Sequence, residues 1–431
     1  MVTARVDGTM ATSSALENTV FVMIAIAISG AILPIVFTDS SFNYVDGSPG
    51  YETALAVFYA LAGVCALIHR SRVLAVVRRS PALLALLSLV CLSASWAETP
   101  GLVARRALAL FGTTLFGVLL AARFSLPDRL DLLSKVFRVT ALLSLLVVAV
   151  LPQYGIANDI HSGDWVGIFG QKNGLGAMMA LGVLVEWHVP TKKTSKIAWL
   201  LLYGLLMVKS DSIAPMASLM GTFLIIKTFE RLRMRYRVPT MTVILLVLGI
   251  GGVLTVVGFA TGLLQYTSGR TANLSGRTEL WGILLNSIAT RPLLGYGYGD
   301  FWGGASKEFY NVTRQTGWVP MYSHNGYLEI AISLGLVGLF LACWFLGKGV
   351  YHAAQRAEFR DSIQDMWPLA FLIYFLIHNM AECSIMWKNS FEWALCVATV
   401  LDVMPRRTRN ATGMDLNDEV RNALTPSRGY A

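Results

Sequence analysis

The sequence has 431 residues, of which 55% are hydrophobic and only 14% are charged, whereas an average soluble domain carries about 25% charged residues. These charges are too few to cover the surface of a soluble protein of this length, so the composition predicts an integral membrane protein. The net charge of +9 does not predict nucleic-acid binding, because the basic residues are scattered among turns and form no single face.

Apolar stretches near the roughly 20 residues that a helix needs to cross the hydrocarbon predict about twelve spans, within a range of about ten to twelve. None shows the alternation of a barrel strand, so the predicted fold class is an all-α polytopic membrane protein. The predicted spans are 18–38, 53–69, 81–97, 103–122, 137–152, 174–188, 197–209, 213–229, 240–262, 326–347, 366–381 and 390–404.

The distribution of Lys and Arg predicts the orientation of these spans, since short cytoplasmic loops collect basic residues. Most of the 35 basic residues lie in turns that are cytoplasmic if both termini are inside. The chain then divides into a cytoplasmic segment 1–17, spans one to nine over 18–262, an outer loop over 263–325, spans ten to twelve over 326–404, and a cytoplasmic tail over 405–431.

The outer loop is the long connection in this scheme, and its sequence predicts order. Residues 277–290 have the apolar spacing of a helix. The following segment RPLLGYGYGDFW at 291–302 contains Pro and three glycines, which indicate a structured turn. We expect the loop to form an ordered cap on the membrane surface, with the tyrosines of this run, Trp302 and Trp318 available to stack on sugar rings.

A minority of the basic residues lie on the predicted outer face and break the inside bias. Snorkelling explains any one of them, but together they indicate an outward cavity that binds an anion. Arginine suits pyrophosphate, because its planar guanidinium makes paired hydrogen bonds and keeps its charge. These residues are Arg105, Arg106, Lys172, Lys209, Arg270, Arg277, Arg291, Lys307, Arg314 and Lys388.

Three segments resemble the O-antigen ligase and polysaccharide polymerase superfamily, which includes the WaaL, Wzy and ExoQ proteins. They are GIFGQKNGLG at 167–176, SGRTELW…RPLLGYGYGDF at 275–301, and SHNGYLEIAISLGLVG at 323–338. The last segment matches the ligase signature of His, Asn, nine residues and Gly-x-x-Gly. The GQKN segment and a WAETPG…RR segment look more like ExoQ-type exopolysaccharide polymerases than like ligases.

The resemblance implies a GT-C-like fold and a metal-independent, inverting glycosyl transfer at the periplasmic face of the bacterial inner membrane. The implied donor is a glycan on undecaprenyl pyrophosphate, and the acceptor is another glycan or the lipid A core. Because the outer face offers no ATP or nucleotide sugar, the lipid donor supplies the energy, and no cofactor is expected. Membrane lipid, a chain-length regulator and export machinery are further partners that the resemblance allows.

His324 and Arg277 are the predicted catalytic residues. A neutral histidine accepts a proton from a hydroxyl, and the signature implies this role for His324, with helix capping as the alternative. Arg277 and Arg291 match family arginines and are assigned to pyrophosphate, with a solvated loop charge as the alternative. Arg105 and Arg106 lie where ExoQ-like polymerases also carry arginines, and one of them is expected to face the cavity.

Four further residues complete the predicted substrate site. Lys172 and Asn173 bind sugar hydroxyls or phosphate, or else begin a helix, and Asn325 follows the predicted base. Glu382 lies one helical turn after His378 and is either a second base or an arginine partner. No metal site is expected, since only two ligands are visible there and the five cysteines have no paired spacing.

One segment departs from the family pattern. The segment KSDSIAP at 209–215 lacks the usual basic residue of many relatives, so no site role is assigned to it.

Three functions stay open. The leading function is a polysaccharide polymerase, and the alternative is an O-antigen ligase, which differs in its acceptor. A glycan or ion transporter is the less favoured reading, since no internal repeat is visible.

Overall fold

The computed structural model describes residues 15–37, 48–158, 162–236, 277–303, 307–359 and 362–405. Within these ranges the chain is helical, and extended pairing is limited to a bridge between Ile156 and Trp165. The predicted all-α class is confirmed. The α-helices, numbered in chain order, are α1 (Ala15–Ile28), α2 (Leu33–Val36), α3 (Pro49–Ile68), α4 (Arg70–Val77), α5 (Pro81–Ser93), α6 (Pro100–Arg123), α7 (Leu126–Val150), α8 (Pro152–Gly155), α9 (Lys172–His188), α10 (Lys193–Lys209), α11 (Ile213–Tyr236), α12 (Arg277–Thr290), α13 (Lys307–Thr316), α14 (Gly326–Phe359), α15 (Trp367–His378) and α16 (Phe391–Val403).

Five helices of the described ranges are long and apolar enough to cross a membrane, namely α3, α6, α7, α11 and α14. The pair α4 and α5, bent by 94°, would make a sixth span. Helices α9, α10, α15 and α16 coincide with predicted spans, but with 12 to 17 residues they are shorter than the roughly 20 residues that a span needs. The count of about twelve is therefore not confirmed, and the predicted ninth span, 240–262, lies outside the described residues. The apolar helices and the composition indicate an integral membrane protein.

Serine and proline residues define where several of these helices begin. Ser48 and Ser80 each accept a hydrogen bond from a backbone N–H of the first turn, and each is followed by a proline. Proline is favoured at this position because the first-turn N–H groups have no partner within the helix. Ser390 caps α16 in the same way, through the N–H of Trp393. Ser390 also lies on the wall of the cavity described below.

Helices α6 and α16 pack together at the centre of the bundle. Gly117 of α6 lies against the backbone of Ala394, where a Cβ atom would collide with the Ala394 carbonyl oxygen and with Val397. Small residues allow such close approach of two helices in membrane proteins. Helix α16 is buried from Phe391 to Leu401, so its polar residues face the interior of the protein.

The two ends of the bundle differ in their polar contacts. At the end that was predicted to be cytoplasmic, which we call the basic end, arginines from α6, α7 and α14 form ion pairs with carboxylates. These pairs are Arg123–Glu17, Arg129–Asp402, Arg138–Glu186 and Arg356–Asp365. The helix ends that were predicted to face outward meet at the other end, which we call the site end.

Helices α12 and α13 form a small second core at the site end. Helix α12 has the bounds that the apolar spacing predicts, and it contributes Leu280 and Leu284. Phe301, Trp302 and Val312 complete a cluster packed against α14. The described part of the predicted outer loop is thus ordered, while residues 263–276 lie outside the described residues.

Candidate active site

The turn after α12 is fixed to a break in α14. Gly335 has φ 67° and ψ −168°, which interrupts the helix. Because of the break, the N–H of Leu336 donates to the carbonyl of Pro292 at 2.7 Å, and the N–H of Tyr296 donates to the carbonyl of Ile332 at 2.9 Å. The turn is therefore held by the same helix whose start carries the predicted base.

A second attachment joins this turn to the start of α6. The Asp300 carboxylate accepts the N–H groups of Glu98 and Thr99, at 2.7 and 3.1 Å. Arg106 is buried and donates to the carbonyl of Gly299. Arg106 therefore anchors the turn, whereas the sequence analysis expected one of Arg105 and Arg106 to bind substrate.

The aromatic residues of the turn do not form the expected sugar-stacking surface. Tyr296, Tyr298 and Trp302 are all buried, since their rings fill the interior between the turn and the helices. Trp318 remains exposed. The prediction of a stacking role is wrong for the three buried residues, because runs of aromatics and glycines do not distinguish a packed turn from an open one.

Glu382 lies at the centre of a polar cluster at the site end. Its Oε1 atom accepts hydrogen bonds from Asn173 Nδ2 at 2.8 Å and from Arg277 Nη2 at 3.2 Å. Its Oε2 atom is 3.9 Å from His324 Nδ1. The structure thus brings together four predicted site residues, which we call the Glu382 cluster: Asn173, Arg277, His324 and Glu382.

The charge of Glu382 is stabilised by its neighbours. Burial raises the pKa of this carboxyl, but the polar contact with His324 and the positive charge of Arg277 outweigh that effect. The net pKa of Glu382 is lower than the ordinary value for a glutamate. The carboxylate is therefore ionised at neutral pH and can orient an imidazole or stabilise its protonated form.

The backbone at the start of α14 positions His324. His324 has a positive φ of 52°, which turns the chain before the helix begins. The Asn325 side-chain oxygen accepts the N–H groups of Tyr327 and Leu328, at 3.0 and 3.1 Å, and its amide donates to the carbonyl of Met380. Asn325 is thus a helix cap that orients its neighbour, and its amide atoms are engaged by the protein.

Two aromatic residues that the sequence analysis did not assign to the site lie near His324. The Tyr322 ring lies 4.1 Å from the His324 ring, centroid to centroid, and 5.4 Å from the ring of Trp387. Burial raises the pKa of Tyr322 well above its ordinary value, so its hydroxyl stays protonated. Tyr322 directly precedes the signature segment, and this position is the signal that would have identified it.

Ser212 is a further residue that the sequence analysis did not assign. Its hydroxyl donates to Asn173 Oδ1 at 2.8 Å, which fixes the amide so that its nitrogen faces Glu382. A Cβ atom on Gly176 would lie 2.8 Å from the Ser212 side chain. Gly176 therefore permits α9 to approach this serine, and the KSDSIAP segment contributes Ser212, not its lysine, to the site.

Two other predicted cations, Lys172 and Arg105, pair with carboxylates outside the Glu382 cluster. Lys172 pairs with Asp164 at 2.8 Å, and Arg105 pairs with Glu52 at 3.1 Å on the surface. Each has a carboxylate partner from a neighbouring segment, so the local sequence could not separate an ion pair from a ligand contact.

Arg291 belongs to the turn and not to the cluster. Its guanidinium lies 3.7 Å from the Glu98 carboxylate and 4.6 Å from the centroid of the Tyr296 ring. Both partners belong to the attachment of the turn. The structure therefore associates Arg291 with the outer surface of the turn and Arg277 with the buried carboxylate.

A cavity of about 230 Å³ adjoins the Glu382 cluster. Asn173, Tyr322 and Glu382 lie on its wall, together with His378 and Glu392, which the sequence analysis did not assign to the site. Among the described residues, no three His, Cys, Asp or Glu side chains converge to hold a metal ion. The arrangement offers a histidine, an ionised carboxylate and an arginine beside a space for a polar ligand.

Comparison with known proteins relates this site to a family. Residues 197–343 match the family model described as O-antigen ligase. The matched range contains Arg277 and His324. The chain is 27% identical over 217 residues to "Exopolysaccharide production protein ExoQ" of Rhizobium meliloti, a match covering 46% of this chain and 49% of the relative. It is 25% identical over 131 residues to "Putative polysaccharide ligase" of Rickettsia felis, covering 29% of this chain and 31% of the relative. The chain thus spans about half or less of the curated relatives it matches, and the predicted resemblance is confirmed over these segments.

Proposed function

We propose that this chain, which matches the O-antigen ligase family over residues 197–343, is a polysaccharide polymerase. It transfers a glycan from undecaprenyl pyrophosphate to a hydroxyl of another lipid-linked repeat. The observation that carries the proposal is the ionised Glu382 held between Arg277 and His324 beside the cavity. The similarity to a protein named for exopolysaccharide production supports the polymerase reading.

His324 is the base in this proposal. Its neutral imidazole removes the proton from the acceptor hydroxyl as the oxygen attacks the anomeric carbon of the donor. The bond between that carbon and the pyrophosphate oxygen breaks as the new glycosidic bond forms, so the configuration inverts. Glu382, 3.9 Å away, orients the imidazole and stabilises the imidazolium that results, as a carboxylate does beside other catalytic histidines.

Arg277 stabilises the leaving lipid pyrophosphate. Its guanidinium donates to the carbonyl of Ala381 at 2.6 Å and to Glu382 at 3.2 Å. These two bonds leave other N–H donors of the fork for phosphate oxygens, and the side chain is 18% exposed. No metal is needed in this scheme, because the cation at the leaving group is supplied by the protein.

In this proposal the protein lies in the inner membrane of a bacterium. Its site end faces the periplasm, and its basic end faces the cytoplasm. The charge rule for short loops supports this orientation, since the arginine ion pairs converge at one end and the Glu382 cluster lies at the other. Membrane lipid surrounds the bundle, and a chain-length regulator and export machinery are the partners that polymer synthesis would require.

An O-antigen ligase is the second candidate, and the description of the matching family model and the name of the Rickettsia felis relative favour it. The ligase differs in its acceptor, which would be the lipid A core. The Glu382 cluster serves both reactions equally, because base and leaving-group chemistry do not depend on the acceptor.

Purified protein incubated with lipid-linked repeats alone distinguishes these functions. A ladder of longer glycans supports the polymerase, and glycan transfer only after addition of lipid A core supports the ligase. If neither mixture forms a glycosidic bond, the proposal of glycosyl transfer is overturned and the transporter reading is favoured. The His324→Ala variant serves as the control for product formation by a contaminating enzyme.

A further inference from the structure

A second histidine–carboxylate pair lies on the wall of the cavity and has no part in the proposed chemistry. His378 ends α15 and Glu392 lies in the first turn of α16. The His378 Nε2 atom is 3.7 Å from Glu392 Oε1, which is too long for a direct hydrogen bond. Both residues are nearly fully buried, with 2% and 4% of their surface exposed.

Neighbouring groups hold the pair in place. The His378 ring stacks on the Tyr374 ring, with the centroids 5.4 Å apart and the planes at 12°. The Ser384 hydroxyl donates to the Oε2 atom of Glu392. The remaining carboxylate oxygen, Oε1, has no hydrogen-bond partner among the described residues, and the same holds for His378 Nδ1. Burial of such atoms is unfavourable unless water or a ligand supplies the missing bond.

The spacing within the pair suits a hydroxyl group. An oxygen at hydrogen-bond distance from both atoms can donate its proton to Glu392 Oε1 and accept one from an Nε2–H of His378. Trp387, Phe169 and Phe391 also line the cavity. Saccharides present hydroxyl groups at their edges and C–H groups on their faces, so a carboxylate–histidine pair near aromatic side chains matches their chemistry.

The pair is also adjacent to the Glu382 cluster along the chain. The N–H of Glu382 donates to the carbonyl of His378 at 3.0 Å, so one helical turn separates the pair from the carboxylate beside the predicted base. A saccharide bound by the pair would therefore lie next to the groups that handle the reacting hydroxyl. Arg277, assigned to the leaving group, belongs to α12 and is not part of this pair.

We propose that His378 and Glu392 bind hydroxyl groups of the acceptor saccharide and position it for attack. This inference rests on the proposed glycosyl transfer and assigns the acceptor side of that reaction. The pair acts by positioning, because the proton of the attacking hydroxyl goes to His324 in the mechanism above.

Binding of a lipid-free oligosaccharide tests the proposal. The probe is the repeat unit released by mild acid from the lipid-linked repeats of the source cells, which carries the saccharide hydroxyls but not the pyrophosphate that is assigned to Arg277. Calorimetry on the purified full chain should show that Glu392→Gln and His378→Gln each weaken binding about tenfold, as expected for loss of a buried hydrogen bond.

Two controls make the outcome decisive. Glu279→Gln, an identical change at an exposed site on α12, should bind the probe as the wild type does. If a variant of the pair fails to fold, Ser29→Trp at the half-buried edge of the cavity provides the test, because an indole there blocks entry. Unchanged affinity in the folded pair variants, or in Ser29→Trp when these do not fold, overturns the proposal. The ladder assay on the wild type reports separately on glycosyl transfer.

Discussion

Glu382 is a buried carboxylate whose polar neighbours come from three distant parts of the chain. Asn173 lies in the first turn of α9, Arg277 is the first residue of α12, and His324 lies just before α14. Burial of an isolated carboxylate is costly, and an arginine and an amide offset that cost by hydrogen bonding to the charged form. The same contacts leave its second oxygen directed toward the imidazole.

The first prediction concerns the base. His324→Ala removes the group that accepts the hydroxyl proton, so turnover should fall by about 100-fold to 10,000-fold while the amount of folded protein is retained. The measurement is the initial rate of polymer formation from lipid-linked repeats. His352→Ala at the far end of α14 is the matched control. A near-normal rate in His324→Ala would remove this residue from the mechanism.

The second prediction concerns the arginine. Arg277→Lys keeps the charge but loses the planar fork that bonds two acceptors at once, so turnover should fall about tenfold or more. Arg314→Lys in α13, where the side chain is exposed, should be unaffected in the same rate assay. Full activity in Arg277→Lys would show that only the charge matters and would argue against a paired contact with pyrophosphate.

The third prediction is a pH dependence of stability. The pKa of Glu382 is lower in the folded protein than its ordinary value, so ionised Glu382 stabilises the fold above the ordinary carboxyl pKa. That stabilisation is lost as the pH falls through the lowered pKa. The melting temperature of Glu382→Gln should therefore lie below that of the wild type at pH 7, and the gap should close in acid. A gap that is constant with pH would contradict the ionised assignment.

At the scale of elements, the break in α14 joins the helix to the turn after α12. Gly335 adopts φ 67° and ψ −168°, a conformation that is essentially restricted to glycine. A Cβ atom there would also collide with the backbone of Leu293. The structure therefore explains the first glycine of the Gly-x-x-Gly signature. A side chain at this position would prevent the turn from packing against α14.

The fourth prediction follows from this break. Gly335→Ala should cost about 1–3 kcal/mol from the backbone conformation alone, and it should also lower activity, since the displaced turn is attached to the helix that carries the base. Thermal unfolding and the rate assay measure the two effects. Gly347→Ala lies in the same helix with open space around its Cβ position, so it should be close to neutral. Equal stability of the two variants would contradict the docking argument.

At the scale of the whole molecule, the polar groups separate into two ends of an apolar bundle. Arginine–carboxylate pairs such as Arg123–Glu17 and Arg129–Asp402 occupy the basic end. The Glu382 cluster, the cavity and the helices α12 and α13 occupy the site end. This division is what a membrane protein with chemistry at one face requires, because the apolar middle offers no water to solvate charges.

The fifth prediction tests which end faces outward. In a variant whose five native cysteines are replaced, Gln315→Cys in α13 should react with a membrane-impermeant thiol reagent in intact cells. Thr194→Cys at the basic-end start of α10 should react only after the membrane is permeabilised. Both positions are exposed. The opposite pattern of labelling would reverse the proposed orientation and contradict a periplasmic reaction.

Part of the site could be predicted from the sequence because it lies in short motifs. Asn173, Arg277 and His324 were singled out from segments that resemble a family, and the structure brings them to Glu382. Arg105 and Lys172 were also singled out, both by charge and by resemblance, but they pair with Glu52 and Asp164. Neither charge nor resemblance could separate them from Arg277, since their partners become neighbours only when the chain folds.

The amino-acid sequence alone determined that this is a helical, membrane-embedded chain, since hydropathy and helical spacing are local properties. It also determined the bounds of α12, which the apolar spacing predicts and the structure shows. Only the tertiary structure decided that Arg277 is the cation that contacts the buried carboxylate, and that the turn after α12 packs against Gly335. It alone paired His378 with Glu392 across a cavity. These contacts join residues from separate elements, and their geometry depends on how the helices pack.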